Sequence, residues 1–316
     1  MNFAAKITPS DFIAPSASDD ALMACPVCHH ETLTHGSDAL ICAGCSMTFQ
    51  IDRGIVDFRH VDEKYRAGEL RVDDEFEAPD PDALVEKKGA ADVMVQRLSD
   101  RVRRLKTEFG HLNLLDVGMF MAEGGGMKPF FKPIEKDVDL YVGIDPSPHE
   151  MFTDAERPDN IRLMRSYGEY LPLRGNQFNF VVSIASMDHL FDADRCLREI
   201  RRVMTPGGVF YTQLNNDGAW FKRMFPAAAD RRREAASEWH NYFWTLSQYQ
   251  ELLKDHGFEI LDKSCYRYNP MFDNSKIAAS LPLPLQSGMS RIMDRIGDIA
   301  LPGLGGNFAI ACRLPG

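Results

Sequence analysis

Between residues 90 and 109, apolar side chains fall at Val95, Leu98, Val102, Leu105 and Phe109, with Arg and Lys between them. Steps of three and four predict a helix, which Gly110 ends. The period then changes. Short apolar runs at 112–118, 141–145, 178–184 and 209–214 predict strands. Between the last two, Cys196, Leu197, Ile200, Val203 and Met204 share one helix face, and Arg195, Arg198, Glu199 and Arg202 lie on the others. Pro206-Gly207-Gly208 predicts a tight turn that ends this helix. A capping box of Thr245 and Gln248 starts a later helix, Gly257 stops it, and residues 258–261 read as a strand. Strands alternating with helices predict an α/β fold with a doubly wound, mostly parallel sheet. Asp116 and Asp145 close two successive strand runs, where such sheets hold ligands; the alternative is that each caps the next helix.

The head of the chain has a different pattern. Cys25-Pro26-Val27-Cys28 and Cys42-Ala43-Gly44-Cys45 are two Cys-x-x-Cys knuckles with 13 residues between them. That is the ligand spacing of a closed, structural zinc site. Residues 31–34 and 39–41 predict a hairpin between the knuckles. A head of about 40 residues has too small a core to fold alone, so a metal staple is physically useful. A disulfide reading would need an oxidising compartment, for which the chain carries no sign. His29, His30 and His35 lie nearby as substitute ligands, but four thiolates already complete the shell. Cys196, Cys265 and Cys312 sit in apolar surroundings and read as core residues.

Charge separates the two parts. The chain has 316 residues and a formal net charge of −10. Residues 61–87 hold ten acidic residues against four basic ones, with Pro79 and Pro81 and few aliphatics, which predicts a solvated linker. The organisation is therefore a zinc-ribbon-like head over 20–60, an acidic linker over 61–89 and a body over 90–316. Most of the remaining charge lies in the head, which leaves the body close to neutral. An acidic chain is a poor non-specific coat for nucleic acid. No run approaches 18 apolar residues, so no transmembrane helix is expected. The N-terminus lacks a secretory signal, and the expected location is cytoplasmic.

Five ordered blocks carry a family resemblance: Leu114-Leu115-Asp116-Val117-Gly118, Val142-Gly143-Ile144-Asp145-Pro146-Ser147, Glu169-Tyr170-Leu171-Pro172-Leu173, residues 178–183, and residues 197–208 ending in Pro206-Gly207-Gly208. Together they resemble class I S-adenosylmethionine-dependent methyltransferases over roughly 110–262, with a last strand near 305–314. The resemblance implies S-adenosylmethionine as cofactor. It sets Asp116 and Gly118 on the first cofactor loop beside the methionine moiety, and Asp145 on the ribose hydroxyls. It sets Tyr167 and Gly168 at the adenine, and Ser183 at the end of the strand lining the methyl group. The chain departs from the family at Phe120 and Ala122, which stand at loop glycines, with Gly124-Gly125-Gly126 arriving late. Tyr167 and Asn179 each replace a usual Asp.

Because the sulfonium is already activated, such a protein mainly aligns the reacting atoms, and a hydroxyl acceptor adds the need for a general base. His189, in Ser186-Met187-Asp188-His189, and His240 are the candidates, with Asp188 placed to orient either. The expected acceptor is a small molecule, a glycan or a lipid-linked group, methylated on O or N. The alternatives are an enzyme similar to rRNA guanine methyltransferases, which pair a zinc ribbon with such a body, and a non-catalytic scaffold. Arg231-Arg232-Arg233 and Arg101, Arg103 and Arg104 are basic but read as solvated helix faces, so nucleic acid is the weaker partner. Residues 290–301 form an amphipathic segment with Ile292, Met293, Ile296 and Ile299 on one face. It is expected to pack on the body, with peripheral membrane contact as the alternative.

Overall fold

The computed structural model describes residues 21–52, 55–59, 61, 88–118, 134–146, 159–237, 240–268 and 283–316. The acidic stretch 62–87 and the loop 119–133, with its late glycines, lie outside the described residues. The head holds β1 (Leu33–His35), β2 (Ala39–Cys42), β3 (Thr48–Asp52) and β4 (Ile55–Asp57). The body holds β5 (Asn113–Val117), β6 (Leu140–Asp145), β7 (Ile161–Arg165), β8 (Phe178–Ile184), β9 (Met204–Asn215), β10 (Glu259–Tyr266) and β11 (Asn307–Arg313). Its helices are α1 (Lys88–Phe109), α2 (Ala193–Val203), α3 (Trp220–Met224), α4 (Pro226–Ala236), α5 (Leu246–Asp255) and α6 (Leu283–Ala300).

All eleven described strands form one sheet in the order β1-β2-β3-β4-β7-β6-β5-β8-β9-β11-β10. From β4 to β9 the neighbours are parallel, and β11 runs antiparallel between β9 and β10. The chain runs outward through β5, β6 and β7, then returns to lay β8 on the other side of β5. Strand order thus reverses between β5 and β8, the point at which doubly wound sheets open a crevice for ligands. Every residue of β8 is buried, because helices cover both faces; this is why it reads as a continuous apolar run. One layer joins Leu115, Val142, Val181 and Phe210 to Leu197 and Ile200 of α2. The other joins Leu114, Tyr141 and Phe180 to Leu98, Val102 and Leu105 of α1. Cys196, Cys265 and Cys312 are buried, as their surroundings predict.

The ends of α5 follow local chemistry. Thr245 and Gln248 make the reciprocal capping box. At the other end, Gly257 has φ +74°, its N–H donates to Lys254 O, and Phe258 N–H donates to Leu253 O. These two bonds are the Schellman pair, which needs a left-handed residue between them.

Three elements differ from the pattern-based reading. Pro206-Gly207-Gly208 does not end α2: the helix stops at Val203, and Met204 is already extended. The proline and glycines instead form a bulge inside β9, where pairing with β8 jumps from Phe178↔Met204 to Phe180↔Val209. The apolar stripe of α6 also faces outward. Ile292, Ile296 and Ile299 are 61%, 60% and 80% exposed. The helix packs by Gly297, where a Cβ would lie 2.2 Å from the Tyr268 ring, while Asp298 accepts the Tyr268 hydroxyl at 2.9 Å. Finally, the head does not stand apart. Its strand β4 pairs parallel with β7 and continues the body's sheet.

Candidate active site and metal centre

The two knuckles are near copies of each other. His29 N–H donates to Cys25 O at 2.8 Å and Ser46 N–H donates to Cys42 O at 2.9 Å. The residue after each second cysteine is left-handed, with φ +58° at His29 and +60° at Ser46. Each turn therefore aims two thiols at one point. Cys25 Sγ lies 3.6 Å from Cys45 Sγ, and Cys28 Sγ lies 3.5 Å from Cys42 Sγ. A disulfide needs about 2.05 Å, whereas thiolates bound at about 2.3 Å to a tetrahedral zinc lie about 3.8 Å apart. The donor set fits the metal and not the disulfide. Burial pushes the Cys25 thiol up. Cys42 is also partly buried, but the N–H groups of Cys45 and Gly44 and the neighbouring thiols bring it down to about 7. The nearby histidines are engaged elsewhere: His30 Nδ1 accepts from Thr32 N–H, and His29 Nε2 lies 3.7 Å from Glu199.

The second cluster of groups lies at the carboxyl ends of β5, β6 and β8. Gly118 follows β5 with φ +79°, and its N–H donates to Ile144 O at 2.8 Å. A Cβ there would meet Ser186 Cβ at 2.2 Å. Ser186 in turn donates its hydroxyl to Gly118 O at 2.8 Å. No side chain fits between these segments, so the backbone itself forms the floor of the crevice. Asp116 sits on the face opposite Val117 and accepts the Tyr141 hydroxyl at 2.7 Å. Burial raises its carboxyl to about 7, Tyr141 opposes that, and the nearby Asp145 charge adds to it. Asp145 ends β6 and is buried, with Ser166 N–H donating to its carbonyl. Ser183, at the end of β8, has a buried hydroxyl with no hydrogen-bond partner among the described residues. The close backbone approach at Gly118 and the acids at the ends of two adjacent strands fit a polar cofactor at the carboxyl ends of β5 and β6.

Tyr167 and Gly168 follow β7 and are packed inside the molecule. Tyr167 is buried. A Cβ on Gly168 would lie 2.9 Å from Cys196 Sγ and 3.0 Å from Val117, so this glycine lets the segment approach both α2 and β5. The next residue, Glu169, accepts from Phe191 N–H at 2.8 Å, and burial raises its carboxyl. Arg202 donates to the carbonyls of Leu171 and Leu173, and Glu199 accepts Leu171 N–H. The segment is thus held by side chains of α2. Asn179 acts locally: it accepts Asn113 N–H and donates to His111 O, joining the starts of β5 and β8.

The two histidines lie together although 51 positions separate them. Their ring centroids are 4.3 Å apart. Asp188, which is buried, underlies both, with His240 Nε2 at 3.4 Å from Oδ2 and His189 Nε2 at 3.9 Å from Oδ1. The Asp188 carbonyl accepts Asn241 and Tyr242 N–H, which ties the segment before α5 to the 3₁₀ turn Met187–His189. His240 Nδ1 also faces Ala236 O at 3.2 Å. Both of its nitrogens therefore point at oxygen acceptors, and His189 is the more exposed ring.

Sequence reading did not find Tyr141, Ser186 or Glu169 as site residues. Nor did it find Asp57, Arg59 and Arg165, which line up beside Asp145. The only local signals are a serine just past a buried strand and an acid inside an apolar block.

Residues 122–212 match the family model described as a methyltransferase domain. The malonyl-[acyl-carrier protein] O-methyltransferase of Geobacter sulfurreducens is 31% identical over 107 residues, 32% of this chain and 40% of that protein. The ubiquinone biosynthesis O-methyltransferase of Azorhizobium caulinodans is 25% identical over 195 residues, 60% of this chain and 74% of that protein. The alignment thus spans less than half the length of the first of these relatives. Among solved structures, an S-adenosylmethionine-dependent methyltransferase from Mesorhizobium loti is similar at a TM-score of 0.45. It is 16% identical, covering 64% of this chain and 91% of that one. The doubly wound, mostly parallel sheet with its switch point is a Rossmann-like fold, and residues 122–212 within it match the methyltransferase-domain model.

Proposed function

We propose that this protein methylates an oxygen or nitrogen of a small-molecule, glycan or lipid-linked acceptor, with S-adenosylmethionine as donor and a structural zinc on Cys25, Cys28, Cys42 and Cys45. The observation that carries the reading is the set at the switch point: Asp116 and Asp145 at the ends of β5 and β6, and Gly118 with no room for a side chain. Bound there, S-adenosylmethionine supplies a methyl group on a positively charged sulfur. Asp145 would accept the ribose hydroxyls, the Asp116 carboxylate would face the methionine end, Tyr167 and Gly168 would border the adenine, and Ser183 would end the strand beside the reacting carbon.

Both relatives named above are O-methyltransferases, which supports an oxygen nucleophile. An acceptor hydroxyl must lose its proton as the new bond forms. Ala236 O and Asp188 lie at the two nitrogens of His240 and orient that ring. His189 then takes the proton, placed beside Asp188 and against the tilted His240 ring.

The test is transfer of a labelled methyl group from S-adenosylmethionine into small-molecule and lipid fractions of a cell extract. The expected result is label in one fraction, reduced about 10²–10⁴-fold by His189→Ala. Label in no fraction would defeat the proposal, and label in RNA would move the acceptor to the other class.

A further inference from the structure

The head adds a strand to the edge of the sheet that carries the cofactor acid. Asp57 of β4 pairs with Arg165 of β7, and Arg165 pairs with Asp145 of β6. The three residues form one row across the carboxyl ends of three parallel strands, and each is buried. The row alternates acid, base, acid. Just past it, Phe58 N–H donates to Arg165 O at 2.7 Å, which carries the pairing one residue beyond β4.

Arg59 then crosses the row. Its Nε and Nη2 donate to the Asp57 carboxylate at 2.9 Å and 2.7 Å, a two-pronged grip that fixes the guanidinium plane. Its Nη1 donates to the carbonyl of Pro146 at 3.3 Å, the residue directly after Asp145. Burial alone would raise Asp57, but the bonds and charge of Arg59, with the Arg165 charge, hold it below the usual carboxylate range. A charged side chain of the head, mostly buried, thus holds the backbone on which the ribose acid is carried.

We propose that the cysteine-stapled head is a working part of the cofactor site, with Arg59, fixed by Asp57, a positioning residue that sets Asp145 through the Pro146 carbonyl. This rests on the reading of Asp145 as the ribose-binding acid. The metal's role follows from connectivity. Cys42 ends β2 and Cys45 lies three residues before β3, which pairs with both β2 and β4, so a frayed knuckle loosens the strand that presents Arg59.

The test is a double-mutant cycle on the zinc-loaded full chain, with S-adenosylhomocysteine binding read by calorimetry. Arg59→Ala is expected to weaken binding about tenfold, the size of a lost charged hydrogen bond. Zinc content should stay that of the wild type. In the Asp145→Ala background the same change should cost less than about twofold, because the residue through which it acts is gone. Unchanged affinity in Arg59→Ala, or penalties that multiply in full, would overturn the inference and leave Arg59 a purely structural residue. Arg59→Lys keeps the charge and loses the fork; should Arg59→Ala not fold, an intermediate weakening in Arg59→Lys supports the inference and wild-type affinity overturns it. If the wild-type chain binds no S-adenosylhomocysteine, the methyltransferase reading falls, and this inference with it.

Discussion

The head and the middle of this sheet solve the same problem, holding several polar groups around one point, in opposite ways. In the head, four thiols come from two turns of identical shape, each closed by its own backbone bond. At the switch point, Asp116, Gly118 and Asp145 come from the ends of two adjacent strands, β5 and β6, and lie together only because the sheet places those strands side by side. The first cluster is closed: four donors aim at one another with no position left over. The second is open at the strand ends, where doubly wound sheets hold ligands. A set of ligands that saturates itself builds structure, and a set with capacity to spare binds something that comes and goes.

Cutting one thiol is expected to have the largest effect. Cys42→Ser should abolish stoichiometric zinc and lower stability by about 4 kcal/mol, or roughly 10 °C in Tm, read by metal analysis and thermal unfolding. A Tm within a degree of wild type would mean that the head is held by β4 alone. Next in size is Gly118→Ala, which forces a side chain into Ser186 and a non-glycine residue into left-handed geometry. About 3 kcal/mol of destabilisation should follow, partly recovered by Ser186→Gly; no recovery would show that the clash is relieved some other way.

Asp145→Ala should leave zinc and Tm nearly unchanged and weaken S-adenosylhomocysteine binding about 100-fold, because two hydrogen bonds to a carboxylate are lost. This variant sharpens the comparison: the open cluster fails in binding, the closed one in stability.

The smallest effect concerns pH. Asp116 has its folded-state carboxyl raised to about 7, above the value of about 3.9 in an unfolded chain. The folded state therefore holds the proton longer. Stability from this group is full below about pH 4 and declines as pH rises toward 7. Asp116→Asn should remove that decline and be the more stable form at pH 8, by about 2 kcal/mol. In the wild type, affinity for the cationic donor should rise through pH 7 as the carboxylate forms, while the neutral Asn variant shows no such rise.

The same contrast sets what could be read without coordinates. The paired cysteines lie within 21 positions, and their spacing alone marks them as one group. The body's strands were legible where burial on both faces gives continuous apolar runs, as in β8, and less so in β7, where Arg162 and Arg165 interrupt the pattern. Asp145 was legible because it ends such a run. Arg165 and Tyr141 were not, since their partners lie on other strands, and Arg59 was not, since its reach to Pro146 spans 87 positions. The α6 stripe misled for a physical reason: a glycine over an aromatic ring and acids bonding a tyrosine can seat a helix as firmly as apolar side chains, and periodicity registers only the latter. Proline and glycine likewise mark a break in pattern without saying whether a helix ends or a strand bulges.

The central claim is that the open cluster holds S-adenosylmethionine. Calorimetric titration of the zinc-loaded chain with S-adenosylmethionine and S-adenosylhomocysteine tests it most directly. The account predicts one site per chain for each, lost together in Asp145→Ala with zinc retained; absence of binding by the wild type at millimolar ligand would contradict it.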